Sequence, residues 1–127
     1  MKEKLEEVFN SGYIKNNNYR VISVDENSCV VEGLLTDTSL NPFGIAHGGY
    51  TFGLIDTTAG ILANVFGNAV TTNASINYLS KGKGNKLTAK ATFLKRGISL
   101  STCECTVYDE EKRLVAKAVL EYYYITN

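Results

Sequence analysis

His47 and Asp56 are the residues of this chain best suited by type and setting to acid–base or nucleophilic chemistry. His47 is the only histidine, and Asp56 is the only formal charge between Asp37 and Lys81, although charged residues make up 20% of the 127 positions. An acid embedded in a long, uncharged and largely apolar run is expected to be desolvated, and such acids persist where something pairs with them or uses them. In the same stretch, NPFGIAHGGYTFGLIDTTAGILANVFG from Asn41 to Gly67, Gly48 and Gly49 directly follow the histidine. The first N–H groups of a helix have no intrahelical acceptor and sit at the positive end of its dipole, so Gly48 and Gly49 could hold a developing oxyanion. Asp56 could then attack directly or take a proton from water. The plainer alternatives are an Asp56 hydrogen-bonded to nearby Thr or Asn groups for structure alone, and a His47 that only fixes its loop.

Positioning these groups requires a helix. Asn41-Pro42-Phe43-Gly44 reads as a loop, and Gly48 to about Phe66 has the length and composition of a helix stopped by Gly67-Asn68. Gly49, Gly53, Asp56, Gly60 and Ala63 fall on one strip of it, while Phe52, Leu54, Ile55, Ile61, Leu62, Val65 and Phe66 occupy the other faces. A helix so apolar is expected to be central and buried nearly all round. Each glycine costs a helix interior roughly 0.8–1 kcal/mol relative to alanine, so another backbone, or a ligand, is expected to approach along that strip. Helix rise puts Asp56 about 12 Å along the axis from Gly48, too far for one carbonyl to touch both. If both act on one carbonyl, the acid comes from a second copy whose helix runs antiparallel alongside, as a twofold dimer with two composite sites allows.

The rest of the chain must enclose that helix. Leu5, Val8 and Phe9 stand at helical spacing, predicting a short amphipathic helix closed near Gly12, and the polar, Asn-rich residues 13–19 read as a loop. Arg20 to Val24 and Ser28 to Leu35 read as strands joined by the turn Asp25-Glu26-Asn27. Four long alternating segments follow from Val70; Leu87, Ala89, Ala91 and Phe93 line one face of the second, and the last two run Ile98–Tyr108 and Arg113–Ile125. Alternation with short polar turns predicts an antiparallel meander, and strands of this length must curl around something. The eight tyrosines, Tyr122-Tyr123-Tyr124 included, read most simply as alternating core and surface residues.

A curled antiparallel sheet of five to six strands wrapped around a central helix at about 48–66 is the α+β hotdog architecture. Asn41, Gly44, His47-Gly48-Gly49 and Asp56, in the spacing N-x2-G-x2-H-G-G-x6-D, make the chain resemble the hotdog-fold acyl-CoA thioesterases of the PaaI-type group. The resemblance implies that the Gly48 N–H polarises the thioester carbonyl and that Asp56 is nucleophile or general base. It also implies that Asn41 and His47 line the thioester, that Thr71 supplies a hydroxyl that helps position water, and that CoA binds across a subunit interface of a dimer or dimer of dimers. The expected activity is hydrolysis of acyl-CoA to acid and CoA, without metal or other cofactor. The alternative is a hotdog domain that binds or senses acyl-CoA without turnover.

Composition narrows the remaining classes. A length of 127 residues suits one domain spanning 1–127, and a formal net charge of zero gives no global field for nucleic acid or an anionic membrane. No uncharged run reads as a membrane span. Residues 81–96 carry six cations and no acid, so Lys81, Lys83 and Arg96 are candidate partners for CoA phosphates, against the plainer reading of a solvated turn. Cys29, Cys103 and Cys105 are an odd number, fitting buried, reduced thiols in a cytoplasmic protein better than disulfides or a metal site.

Overall fold

The computed structural model describes residues 10–125. The expected helix through Leu5, Val8 and Phe9 lies outside that range. Its ordered elements are α1 (Gly12–Asn16), β1 (Tyr19–Val24), β2 (Ser28–Leu34), α2 (Gly48–Asn64), β3 (Ala69–Tyr78), β4 (Lys86–Arg96), β5 (Leu100–Tyr108) and β6 (Leu114–Tyr124), with a 3-10 turn at Asp37–Ser39. The first of these corrects the reading of 13–19 as loop throughout: the Ser11 hydroxyl caps α1 by accepting from the Ile14 N–H, and Ile14 is buried. Between β1 and β2 the turn chemistry is as expected, with Asp25 Oδ1 accepting from the Asn27 and Ser28 N–H groups at 2.8 and 2.9 Å.

All strand pairs are antiparallel, in the order β1-β2-β4-β5-β6-β3. Strands β4, β5 and β6 form the expected meander, but β3 does not join it next to β4. It pairs along the far side of β6, because α2 carries the chain across the sheet before β3 begins. The inner face is built of small and medium side chains: Cys29 and Val31, Leu87, Ala89 and Ala91, Cys103, Cys105 and Val107, then Ala116, Ala118 and Leu120, all buried. Such residues let α2 lie close to the sheet, where Leu54, Ile55, Ile61 and Leu62 are buried and each contributes up to about 1.5–3 kcal/mol. The three thiols are unpaired and buried, and desolvation pushes Cys29 and Cys103 up to about 12.

Helix α2 is not buried all round. Phe52, Asp56, Gly60 and Asn64, spaced four apart along the axis, and Thr57 beside Asp56 are only half-buried and form an open strip. The small-residue strip read from the sequence is also divided in use. At Gly53 an added Cβ would lie 2.7 Å from Tyr19 Oη, which is buried and donates to the Tyr50 carbonyl at 2.7 Å. At Gly60 an added Cβ would meet only the Tyr122 ring, at an ordinary 3.7 Å. Gly53→Ala is therefore expected to destabilise by about 1–3 kcal/mol through overpacking, whereas Gly60→Ala stabilises by about 0.8–1 kcal/mol. Urea melts of the two variants check the opposite signs. What approaches the strip at Gly53 is a pair of the chain's own tyrosines, Tyr13 and Tyr19, not a backbone.

Candidate active site

The loop before α2 is held from within. Asn41 Oδ1 accepts from the Phe43 N–H at 2.9 Å and the Ile45 N–H at 3.3 Å, and Gly44 takes a left-handed φ of +78° that disfavours a side chain. The chain then returns through the Leu40–Ala46 bridge, and the His47 N–H donates to the Ser39 carbonyl at 2.8 Å. His47 has extended backbone and caps α2: its Nδ1 accepts from the Gly49 N–H at 2.8 Å, which places the neutral ring's proton on Nε2. The Tyr50 and Thr51 N–H groups donate to the His47 carbonyl.

This leaves the Gly48 N–H as the first-turn donor without an acceptor among the described residues. The expectation that Gly49 N–H stands free beside it is corrected, since His47 already accepts from it. Tyr78, at the end of β3, packs on Gly48 and donates its hydroxyl to the Gly48 carbonyl at 2.8 Å. The lysines expected to meet phosphates are close by: Lys81 and Lys83 line a small cavity of about 110 Å³ with Gly44, Ile45 and Ala46. Their loop is tied down by Asp109, which accepts from the Lys83 N–H at 2.8 Å. Arg96 is elsewhere, its guanidinium 3.9 Å over the Phe66 ring beyond the C-terminal end of α2.

Asp56 projects from the open strip of α2 toward the β3–β6 pair. Its Oδ1 accepts from the Thr71 hydroxyl at 2.7 Å and the Tyr122 hydroxyl at 2.8 Å. The two donors are cross-strand partners, Thr71 opposite Tyr122. A β-bulge at Thr72 makes this possible. After it, Ala74, Ile76 and Tyr78 oppose Leu120, Ala118 and Ala116 on the inner face. Without the extra residue, strict alternation would turn Thr71 to the opposite face. Tyr122 is 1% exposed, and desolvation raises its pKa, with the charge of Asp56 and its hydrogen bond adding to the effect; it therefore stands as a protonated donor. Beside this cluster opens a cavity of about 350 Å³ lined by Tyr13, Ile14, Asp56, Gly60, Val70 and Tyr122, among others.

The structure thus groups Asn41, His47, Gly48, Gly49, Lys81 and Lys83 at the N-terminal end of α2. It groups Asp56 with Thr71 further along the helix and leaves Arg96 apart from both. Tyr78 and Tyr122 were missed as site neighbours. Alternation along the last strand places Tyr122 inward with Leu120 and Ala118, and an inward tyrosine needs a partner for its hydroxyl.

The sequence pattern of the thioesterase superfamily matches residues 43–116, more than half of the chain. The chain belongs to that superfamily. As a superfamily member it is a thioester hydrolase, and its fold is that of solved relatives. It is similar to the Escherichia coli PaaI protein from the phenylacetic acid degradation operon, with a TM-score of 0.91 and 26% identity over 99% of this chain and 91% of that one. A Streptococcus mutans protein solved with acetyl-CoA is 33% identical, covering 87% of this chain and 90% of the other, with a TM-score of 0.81. A hypothetical thioesterase from Streptococcus pneumoniae, solved with coenzyme A, is 27% identical over 100% and 98% of the two chains, with a TM-score of 0.86. The hotdog fold of five to six strands expected from the sequence is the observed fold, with six strands. Among the described residues no helix is long and apolar enough to cross a membrane.

Proposed function

We propose that this superfamily member hydrolyses acyl-CoA thioesters to free acid and CoA, with water as the only co-reactant, at two sites each shared between two subunits. The observation that carries the reading is Asp56: a half-buried acid, held by two hydroxyls, facing a cavity large enough for an acyl group. The CoA-bound relatives support the substrate class. Three unpaired thiols support a reducing, cytoplasmic setting.

The position of β3 supports the shared site. This strand lies at the sheet edge with eight of its ten residues exposed, and it carries no charge and no proline, so its free backbone edge is open to pairing. Its Thr71 end touches Asp56 and its Tyr78 end touches Gly48. Two copies pairing antiparallel along this edge set the Tyr78 end of one against the Thr71 end of the other. The Gly48 of one protomer then approaches the Asp56 of its partner, closing the gap of about 12 Å that a single helix leaves.

In such a site the Gly48 N–H receives the carbonyl oxygen while an Asp56 oxygen, or a water that it deprotonates, attacks the thioester carbon. The carbon–sulfur bond breaks: in the general-base route Asp56 passes the proton taken from water to the departing thiolate, and on direct attack the acyl group stays on Asp56 as an anhydride that water then cleaves to the free acid, its proton going to the thiolate. Lys81 and Lys83 face the phosphates of CoA, and the cavity beside Asp56 takes the acyl group. The test is release of free thiol from a panel of short-chain, long-chain and aryl acyl-CoAs. Turnover of at least one is expected; binding without turnover across the whole panel would overturn the hydrolase reading in favour of an acyl-CoA binding domain.

A further inference from the structure

We propose that Tyr122 is a positioning residue for the reaction: its hydroxyl, together with that of Thr71, pins one oxygen of the Asp56 carboxylate and leaves the other as the oxygen presented to the substrate. The inference rests on the reading of Asp56 as the catalytic acid, and it assigns a role to a residue of the last strand outside the loop-and-helix motif.

The geometry is that of a clamp. Tyr122 Oη lies 2.8 Å from Asp56 Oδ1 and 3.1 Å from the Asp56 backbone carbonyl, so a single hydroxyl ties the side chain to its own turn of α2. Thr71 reaches the same Oδ1 at 2.7 Å from the neighbouring strand. Oδ2 has no hydrogen-bond partner among the described residues. A free carboxylate turns about its last bond and presents either oxygen; two donors on one oxygen, arriving from a paired strand register, stop that rotation. The Tyr122 ring is itself immobilised by burial, close enough to α2 that a Cβ added at Gly60 would meet it at 3.7 Å. The inner face of β6 is otherwise Val115, Ala116, Ala118 and Leu120, and phenylalanine would fill the same volume.

The test is Tyr122→Phe, alone and combined with Asp56→Asn, measured by thiol release from the best acyl-CoA of the panel. Loss of one hydrogen bond to a charged group is expected to lower kcat by about 10- to 100-fold. KM stays within about twofold, because the substrate itself is not contacted. In the Asp56→Asn background the same change is expected to alter the residual rate by less than about twofold, since Tyr122 acts through the carboxylate. Unchanged kcat in Tyr122→Phe, or an equal fall in both backgrounds, would overturn the proposal and mark the tyrosine as structural. Wild-type kcat in Asp56→Asn alone would instead sink the catalytic reading beneath it. If Tyr122→Phe does not fold, proton NMR of the intact protein decides. A slowly exchanging Tyr122 hydroxyl proton that shifts on Asp56→Asn is expected, and its absence overturns the clamp.

Discussion

Asp56→Asn is expected to lower kcat for acyl-CoA hydrolysis by about 10²–10⁴-fold while leaving the fold intact. Asparagine has the shape of aspartate and keeps a carbonyl oxygen able to accept from Thr71 and Tyr122, so both hydroxyls retain their acceptor. What disappears is the charge and the basicity of the free oxygen. Thermal stability is the control that separates the two readings of this residue. A purely structural acid would lose stability on substitution and leave kcat unchanged. A catalytic acid, held half-buried without a cationic partner, gives the opposite pattern, with Tm unchanged or raised as an uncompensated charge is removed. Thiol-release kinetics and a thermal melt on the same preparation check both halves.

Gly48→Pro is expected to lower kcat by about 10²–10³-fold, the scale of one missing oxyanion donor. The substitution is aimed at a single hydrogen. Proline is tolerated in the first turn of a helix, where its missing N–H would have no intrahelical acceptor. The residue before it must be extended, and His47 already has φ −62° and ψ 137°. A Cβ at position 48 would meet the Tyr78 ring at 3.4 Å, at the edge of ordinary contact.

Mixing this variant with Asp56→Asn then tests whether the site is shared. A heterodimer of the two has one site carrying both lesions and one carrying neither. Random reassortment makes half of the dimers mixed, so the mixture should recover roughly a quarter of wild-type activity from two inactive parents. If both variants fold and exchange subunits and the mixture stays inactive, each site is contained within one chain.

Much of this arrangement was legible in the residues because the relevant signals are local. An isolated charge in an apolar run, a glycine pair after a histidine, and a helix of known rise are each read within a few turns of chain, and they placed Gly48 and Asp56 on one helix about 12 Å apart. Alternation grouped Leu87, Ala89, Ala91 and Phe93 on one face of β4 before any partner was known, because side chains on a strand point to opposite faces in turn. The N-terminal end of the helix and the loop before it were less completely read. The Asn41 carbonyl and the His47 ring are both engaged by loop and helix N–H groups, and that engagement depends on loop geometry that spacing does not show.

Residue order therefore determined the helix, the strand segments, the one exceptional acid and the need for a second copy if Gly48 and Asp56 share a substrate. Tertiary structure alone decided which strands are neighbours and which faces their ends present. Placing β3 beside β6 instead of β4 is what sets Thr71 across from Tyr122. The extra residue at Thr72 reverses alternation, so that Thr71 turns in toward Asp56, and a second bulge at Leu94 sets Arg96 opposite the buried Ser101, over Phe66 and away from the lysine loop. Alternation is a property of each strand, whereas register and bulges are settled by packing between segments distant in the chain. One inserted residue is enough to exchange the inside and the outside of everything that follows it.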